Sequence, residues 1–235
     1  MKRKSLLIIV LAFGGILLVI HTGNDALRLL QGSAPSQSLG THQQGRLVRG
    51  KRLPSAGENF QTYSQLGSLL GRTCVHGQVR AAMLESYRSL AESVPSLHYT
   101  YGETGWCSGG RIRPHKTHRN GLSVDFMVPV RRRGEPARYP SRLMNKFGYN
   151  VEFDSKGRAG ELEIDFEAMA LHLHALHEAA RMHGLGIEVV IFDSDLQQAL
   201  FATGQGGRLR EKMRFSKLPA WVRHDEHYHV DFTLQ

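Results

Sequence analysis

Five of the 13 histidines fall in two short clusters whose spacing suits metal ligands. The first, Pro-His-Lys-Thr-His-Arg-Asn-Gly-Leu-Ser-Val-Asp-Phe, contributes His115, His118 and Asp125. Asp125 follows His118 by seven residues across a glycine-containing turn, so a hairpin-like loop can bring the pair around one ion. Imidazole and carboxylate are donor types that Zn2+ accepts. The second cluster, Arg-His-Asp-Glu-His-Tyr-His-Val-Asp-Phe, contributes His224, His227 and His229. In a strand, His227 and His229 point the same way, so one can ligate while the other reaches a bound water. His118, Asp125 and His229 then make a set of two imidazoles and one carboxylate. That set leaves a fourth tetrahedral position for water, which is the catalytic and not the structural arrangement. An ion held this way keeps net positive charge and brings the pKa of its water towards about 7. A single strand histidine is more often a hydrogen-bonded residue than a ligand. Two clusters in one domain reverse that reading, because Asp125, between Val124 and Phe126, is costly to bury without a cation beside it.

Periodicity supplies the elements that must position these groups. Val79, Met83, Tyr87, Leu90 and Ala91 recur at helical spacing and predict a helix over 77–93, ending before Pro95. Phe166, Met169, Leu173, Leu176 and Ala180 predict a second helix, stopped by Gly184. His172, His174, His177 and His183 lie on that helix without ligand partners at useful spacing and read as surface or boundary residues. Strands are expected over 97–101, 122–130, 187–192 and 227–234. Between 131 and 160 charge, Gly and Pro take over, predicting a surface insertion that borders the site. Strands mixed with segregated helices give an α+β class: a central antiparallel sheet with flanking helices.

At 235 residues, 41% hydrophobic and 22% charged, the chain holds one ordinary globular domain plus something extra. Collagen, mucin and wholly disordered classes are excluded. The net charge of +9 suits an anionic partner. A nucleic-acid binder is set aside, since an export signal is present and no aromatics interleave a basic patch. Lys2-Arg3-Lys4 precedes an apolar run from Leu6 to Ile20, and Ser5 to Gly23 carries no charge. Residues 1–23 therefore read as a signal anchor, with a cleaved signal peptide as the alternative. The positive-inside rule puts the remainder outside the cytoplasm, tethered to the inner membrane. Residues 24–59 read as a flexible basic linker and 60–235 as the functional domain. In an oxidising compartment Cys74 and Cys107 are expected to bridge, worth roughly 3–4 kcal/mol; two separate buried thiols are the alternative.

The run from His118 to Asp125, the His115-x-x-His118 pair and the His224-x-x-His227-x-His229 ending together resemble the LAS-type zinc metallopeptidases. That family includes lysostaphin, D-Ala-D-Ala peptidases and the hedgehog fold, and the likeness is greatest to the penicillin-insensitive murein endopeptidases. It spans roughly residues 75–232. The resemblance implies a hedgehog/D-Ala-D-Ala metallopeptidase-like fold and a periplasmic zinc endopeptidase. Its substrates would be peptidoglycan cross-link peptides of the D-Ala–diaminopimelate type. His118, Asp125 and His229 would be the Zn2+ ligands and His227 the catalytic histidine. His115 and His224 match additional active-site histidines, His115 as a further metal ligand and His224 towards substrate. Glu226 stands three residues before His229, as does the catalytic glutamate of the carboxypeptidase branch. Strand alternation turns Glu226 away from the metal, which favours His227 as base and leaves Glu226 as the alternative. Arg111 and Arg113 are candidates to pair with a substrate carboxylate, or else are solvated loop residues. Glu103 and Trp106, on the preceding glycine-rich loop, either line the cleft or pack as ordinary loop residues. The rival functions are a D-Ala-D-Ala carboxypeptidase and a non-catalytic zinc-containing wall-binding module.

Overall fold

The computed structural model describes residues 2–217 and 223–235, with side chains from Leu7 onward, so those of Lys2-Arg3-Lys4 lie outside the description. The chain opens with α1 (Lys2–Leu29), the hairpin β1 (Gln37–Gly40) and β2 (Gly45–Val48), and β3 (Lys51–Arg52). Next come β4 (Phe60–Thr62), α2 (Gln65–Leu69), β5 (Cys74–Val75), α3 (Gly77–Ser93) and β6 (Tyr99–Tyr101). They are followed by β7 (Ser123–Met127), β8 (Val130–Arg132), β9 (Glu135–Ala137), a 3-10 turn over Leu143–Gly148, β10 (Arg158–Ala159) and β11 (Leu162–Ile164). The chain closes with α4 (Phe166–Met182), β12 (Leu185–Ile191), α5 (Ser194–Phe201), α6 (Gly206–Lys212) and β13 (His227–Leu234).

The class is α+β. A five-stranded sheet runs in the order β12-β13-β7-β6-β4, antiparallel except for the parallel β4–β6 pair at one edge. A small four-stranded sheet, β10-β11-β8-β9, frames the two ends of the expected insertion. One face of the large sheet is covered by α3 and α4. The Asp165 carboxylate accepts from Ala168 N and starts α4, whose buried stripe includes Met169, Leu173, Leu176 and Ala180. His76 caps α3 in the same way, through Gln78 N.

His172 departs from its expected surface position. It is fully buried, three residues beyond Met169 and therefore on the same stripe. Its ring packs on Tyr87 and Phe126 and hydrogen-bonds the Tyr228 hydroxyl at 2.6 Å.

Residues 24–59, expected to be a flexible linker, are instead built into the fold. The β1–β2 hairpin pairs from Gln37↔Val48 to Gly40↔Gly45, and Leu47 and Leu53 are buried. Lys51 donates to the carbonyls of Gly32 and Ala34. The segment is held mainly by polar side chains bonding backbone, which leaves no hydrophobic period to read.

Register is what matters for function. Across β7 and β13 the partners are Ser123↔Asp231, Val124↔Val230, Asp125↔His229, Phe126↔Tyr228 and Met127↔His227. Alternation sends Val124, Val230, Phe126 and Tyr228 to the helical face and Asp125, His229, Ser123 and Asp231 to the other. A Cys74–Cys107 disulfide ties the loop before the first histidine cluster to β5. With the apolar N-terminal helix, it indicates an extracytoplasmic domain.

Candidate metal centre

Asp125 is the centre of the site. It is 1% exposed and lies opposite His229, whose Nδ1–H donates to Asp125 Oδ1 at 2.9 Å. His118 Nε2 approaches the same oxygen at 3.2 Å, off the hydrogen-bonding direction. His227 Nε2 stands 3.9 Å from it. His115 Nδ1 is 3.9 Å from the other oxygen, Oδ2, which accepts from the Tyr149 hydroxyl at 2.9 Å. The structure thus brings together His115, His118, Asp125, His227 and His229 from two distant stretches of chain.

Local backbone explains how. His118 adopts φ +65°, a left-handed conformation that costs a non-glycine residue about 1 kcal/mol or more. Gly105 makes room for it: a Cβ there would stand 2.5 Å from the His118 carbonyl oxygen. Gly102 does the same for Tyr149, since a Cβ would lie 2.5 Å from its hydroxyl. Thr104 and Gly105 are pinned to Cys74 through Thr104 Oγ1→Cys74 O and Cys74 N→Gly105 O. The loop is therefore tied to β5.

A metal ion fits these donors. Ligand atoms of His115, His118 and Asp125 all lie within 4.8 Å of one another. His118 is fully buried, and among the described residues neither of its ring nitrogens has a hydrogen-bond partner. An orphaned imidazole in a buried polar site asks for a cation. Burial lowers the His118 pKa, favouring the neutral form that ligates. Burial opposes ionisation of Asp125, yet His118 and His227 outweigh it and hold the carboxyl well below the ordinary range. Burial would also lower His229, but Asp231 and Asp125 raise it to about 10. In the metal-free protein a proton on His229 supplies the positive charge that an ion would bring.

The surrounding groups orient the ligands. His229 Nε2–H donates to Asp231 Oδ1 at 2.8 Å, and Asp231 also accepts from Ser123 Oγ at 2.5 Å. This fixes the His229 ring with Nδ1 towards Asp125. His115 Nε2–H donates to Glu103 Oε2 at 2.7 Å, and Arg72 and Tyr63 donate to the same carboxylate. Burial would raise Glu103, but His115 and Arg72 bring it to about 2. His227 Nδ1–H donates to Glu226 Oε1 at 2.9 Å, and the His224 ring centroid lies 4.5 Å from that of His227.

Above Asp125 opens a cleft of about 790 Å³, walled by both histidine clusters, Tyr149, Arg72, Glu226 and His224. Glu226 does not turn away as strand alternation implies. β13 begins at His227, so Glu226 sits in the preceding bend and its carboxylate reaches back to the His227 ring. Arg111 and Arg113 are exposed and do not line the cleft; Arg72 is the guanidinium found there. The Arg113 carbonyl accepts from Arg72, whose guanidinium also lies over Trp106 at 5.0 Å. Glu103 lines the cleft.

Asp231, Tyr149 and Arg72 escaped sequence reasoning. Asp231 carried a legible signal, since it continues the His227, His229 alternation by one more step. Tyr149 comes from the insertion expected to border the site. Arg72 lies far from either cluster and gave no local sign. No family model matches the chain, and no curated protein matches it.

Proposed function

We propose that the exported domain is a periplasmic zinc endopeptidase that hydrolyses D-Ala–diaminopimelate type cross-links in peptidoglycan. The observation that carries this reading is the approach of His118 Nε2 and His229 Nδ1 to one oxygen of Asp125 at the floor of an open cleft. The sequence likeness to LAS-type metallopeptidases, with their hedgehog-like fold, points the same way. His118, Asp125 and His229 would hold Zn2+, with His115 beside them as a further donor. Bound there, the ion supplies a Lewis acid for the scissile carbonyl and lowers the pKa of water to about 7.

The protein's own groups do the rest. Glu226 holds the proton of His227 on Nδ1, which leaves the Nε2 lone pair facing the site. Nε2 takes the proton from the attacking water as the new C–O bond forms. It returns that proton to the departing amine as the C–N bond breaks. Burial lowers the His227 pKa, but Asp125 and Glu226 outweigh it and raise the group, favouring its service as the acid in the second half. Glu226 is thus an orienting partner of the base. The Arg72 guanidinium on the cleft wall suits a peptide that carries free carboxylates.

Metal analysis of the full chain and digestion of purified muropeptide dimers, with and without chelator, test the proposal. Dimers should become monomers, and chelation should stop the reaction. A carboxypeptidase would release terminal D-Ala and leave dimers linked, whereas a wall-binding module would hold metal without turnover. His227→Ala should keep the metal and lose turnover; loss of metal in that variant would show that ligand and base are exchanged.

A further inference from the structure

The apolar segment and the folded domain share one helix, and the place where they join is informative. Ser5 to Gly23 is 19 residues, which at about 1.5 Å per residue reaches roughly the ~30 Å of a hydrocarbon core. A span over that stretch would set Gly23 at the lipid–water boundary. Apolar side chains such as Leu11, Phe13 and Val19 are 57–66% exposed, as lipid-facing groups should be. At Gly23 and Asn24 one side of the helix becomes covered, while Leu27 and Leu29 beyond them stay 41% and 77% exposed. A Cβ at Gly23 would be 2.7 Å from Leu69 Cδ1 of α2, so α2 lies directly on the helix.

Asn24 is 0% exposed. It donates to the Leu53 carbonyl at 2.9 Å and Ser55 Oγ at 3.0 Å, and accepts from Arg52 Nη1 at 3.0 Å. That arginine nitrogen also donates to the Ser68 carbonyl at 2.8 Å, locking α2 to the same point. Seven residues on, Gln31 donates to the Gly50 carbonyl and accepts from Arg52 N. The same helix enters the domain at Asn24, four residues after the apolar run ends at Ile20.

The element docked on the helix is also a wall of the cleft. Leu66 and Leu70, one turn apart, line the cleft while remaining 42% and 60% exposed. Phe147, another lining residue, meets Tyr63 edge-on at 6.1 Å, just before the N-cap of α2. It belongs to the turn that carries Leu143 and Met144, 73% and 92% exposed, with Arg142 and Lys146 exposed on either side. Apolar tips flanked by cations are the composition of an element lying in a lipid interface.

We propose that the rim of the cleft formed by α2 and the Leu143–Phe147 turn docks on the surface of the bilayer that α1 crosses, an anionic lipid surface being its partner. The N-terminal helix is then a retained structural part of the domain, and the cleft opens at the membrane face. This holds whatever bond the cleft cleaves.

The test uses the full chain in vesicles of phosphatidylcholine and phosphatidylglycerol whose acyl chains are brominated near the headgroup. Single tryptophans are introduced as Leu70→Trp, Met144→Trp, Val10→Trp and, beyond the far sheet edge on α6, Arg210→Trp, each read against the unsubstituted chain. All four positions are exposed, so folding is preserved and can be checked by circular dichroism. Docking predicts added quenching at 70 and 144 and none at 210. Charge reversal of Arg142 and Lys146 to Glu should diminish the quenching at 144, and omission of phosphatidylglycerol should do the same. If a chain-centre bromine quenches Val10→Trp while 70 and 144 behave like 210, the domain stands clear of the membrane and the proposal is wrong. Absence of quenching at Val10 overturns it as well, because the helix is then not in the bilayer.

Discussion

His172 and His229 lie on opposite sides of one strand pair, β7 and β13, and both are buried. On the helical side His172 meets the aromatic rings of Tyr87, Tyr99 and Phe126, and burial alone takes it down to about 3. On the cleft side His229 lies between Asp125 and Asp231 and is driven up to about 10 against the same burial. Equal burial therefore gives opposite electrostatics according to what the strand alternation puts alongside. One face spends its residues on packing and keeps its histidine neutral. The other face concentrates charge that packing cannot satisfy, and that unsatisfied charge is what a cation would neutralise.

The sharpest way to break the contrast is to remove its charged centre. Asp125→Ala deletes the carboxylate that His115, His118, His227 and His229 all face. Metal content measured on the purified full chain should fall to background, and hydrolysis of cross-linked muropeptides should vanish with it. His118→Ala should do the same. A variant that folds and retains stoichiometric metal would show that the cleft face is not a metal centre.

On the opposite face the next largest effect is one of packing. Phe126 is 1% exposed, stacks on Tyr228 at 5.4 Å and contacts His172 edge-on at 4.8 Å. Phe126→Ala should cost about 3–5 kcal/mol by denaturant unfolding. Metal bound per folded molecule should stay close to that of the unsubstituted protein. A proportionate loss of metal would mean that the two faces are not separable.

The two histidines also predict opposite pH limbs in the chelated protein. His172 takes up a proton at about pH 6.5 when unfolded and only near 3 when folded. Below 6.5 the unfolded state binds more protons, so stability falls as the pH is lowered through that window. Between pH 6.5 and 4.5 the loss should be about 2–3 kcal/mol, and His172→Gln should flatten it while keeping a hydrogen-bonding partner for Tyr228. His229 acts in the reverse sense. Its folded pKa is raised, so its contribution is complete below about 6.5 and is lost as the pH rises towards 10. Chevrons or melts across both windows separate the two.

Much of this arrangement was legible, and the failures have physical causes. The two helices on the sheet and the strand that presents His229 follow from hydrophobic period, because α3, α4 and β13 bury apolar stripes. The grouping of the two histidine clusters followed from ligand spacing and alternation. His172 reads as a boundary residue by its polarity, yet its position on the stripe between Met169 and Leu176 buries it. Residues 24–59 hid their structure because Asn24, Gln31, Lys51 and Arg52 hold them through backbone carbonyls and amides. Arg72 lines the cleft and Arg111 and Arg113 do not, because proximity along the chain does not decide which guanidinium a folded loop turns into a cleft.

The smallest effect lies one step outside the ligands and sharpens the comparison most finely. Asp231 accepts from His229 Nε2 at 2.8 Å and from Ser123 Oγ, and lies 3.8 Å from His42 Nε2. Asp231→Asn keeps an oxygen for the His229 proton but removes the charge, whereas Asp231→Ala removes both. If orientation of the ring is what matters, Asn should weaken metal binding about 10-fold and Ala about 100-fold in competition with a chromophoric chelator. If charge dominates, the two variants should lose affinity equally. A role confined to the fold would instead lower the unfolding midpoint of the metal-free protein and leave the affinity of its folded fraction unchanged. The graded outcome is expected, because the hydrogen bond from Nε2 is what aims Nδ1 of His229 at Asp125.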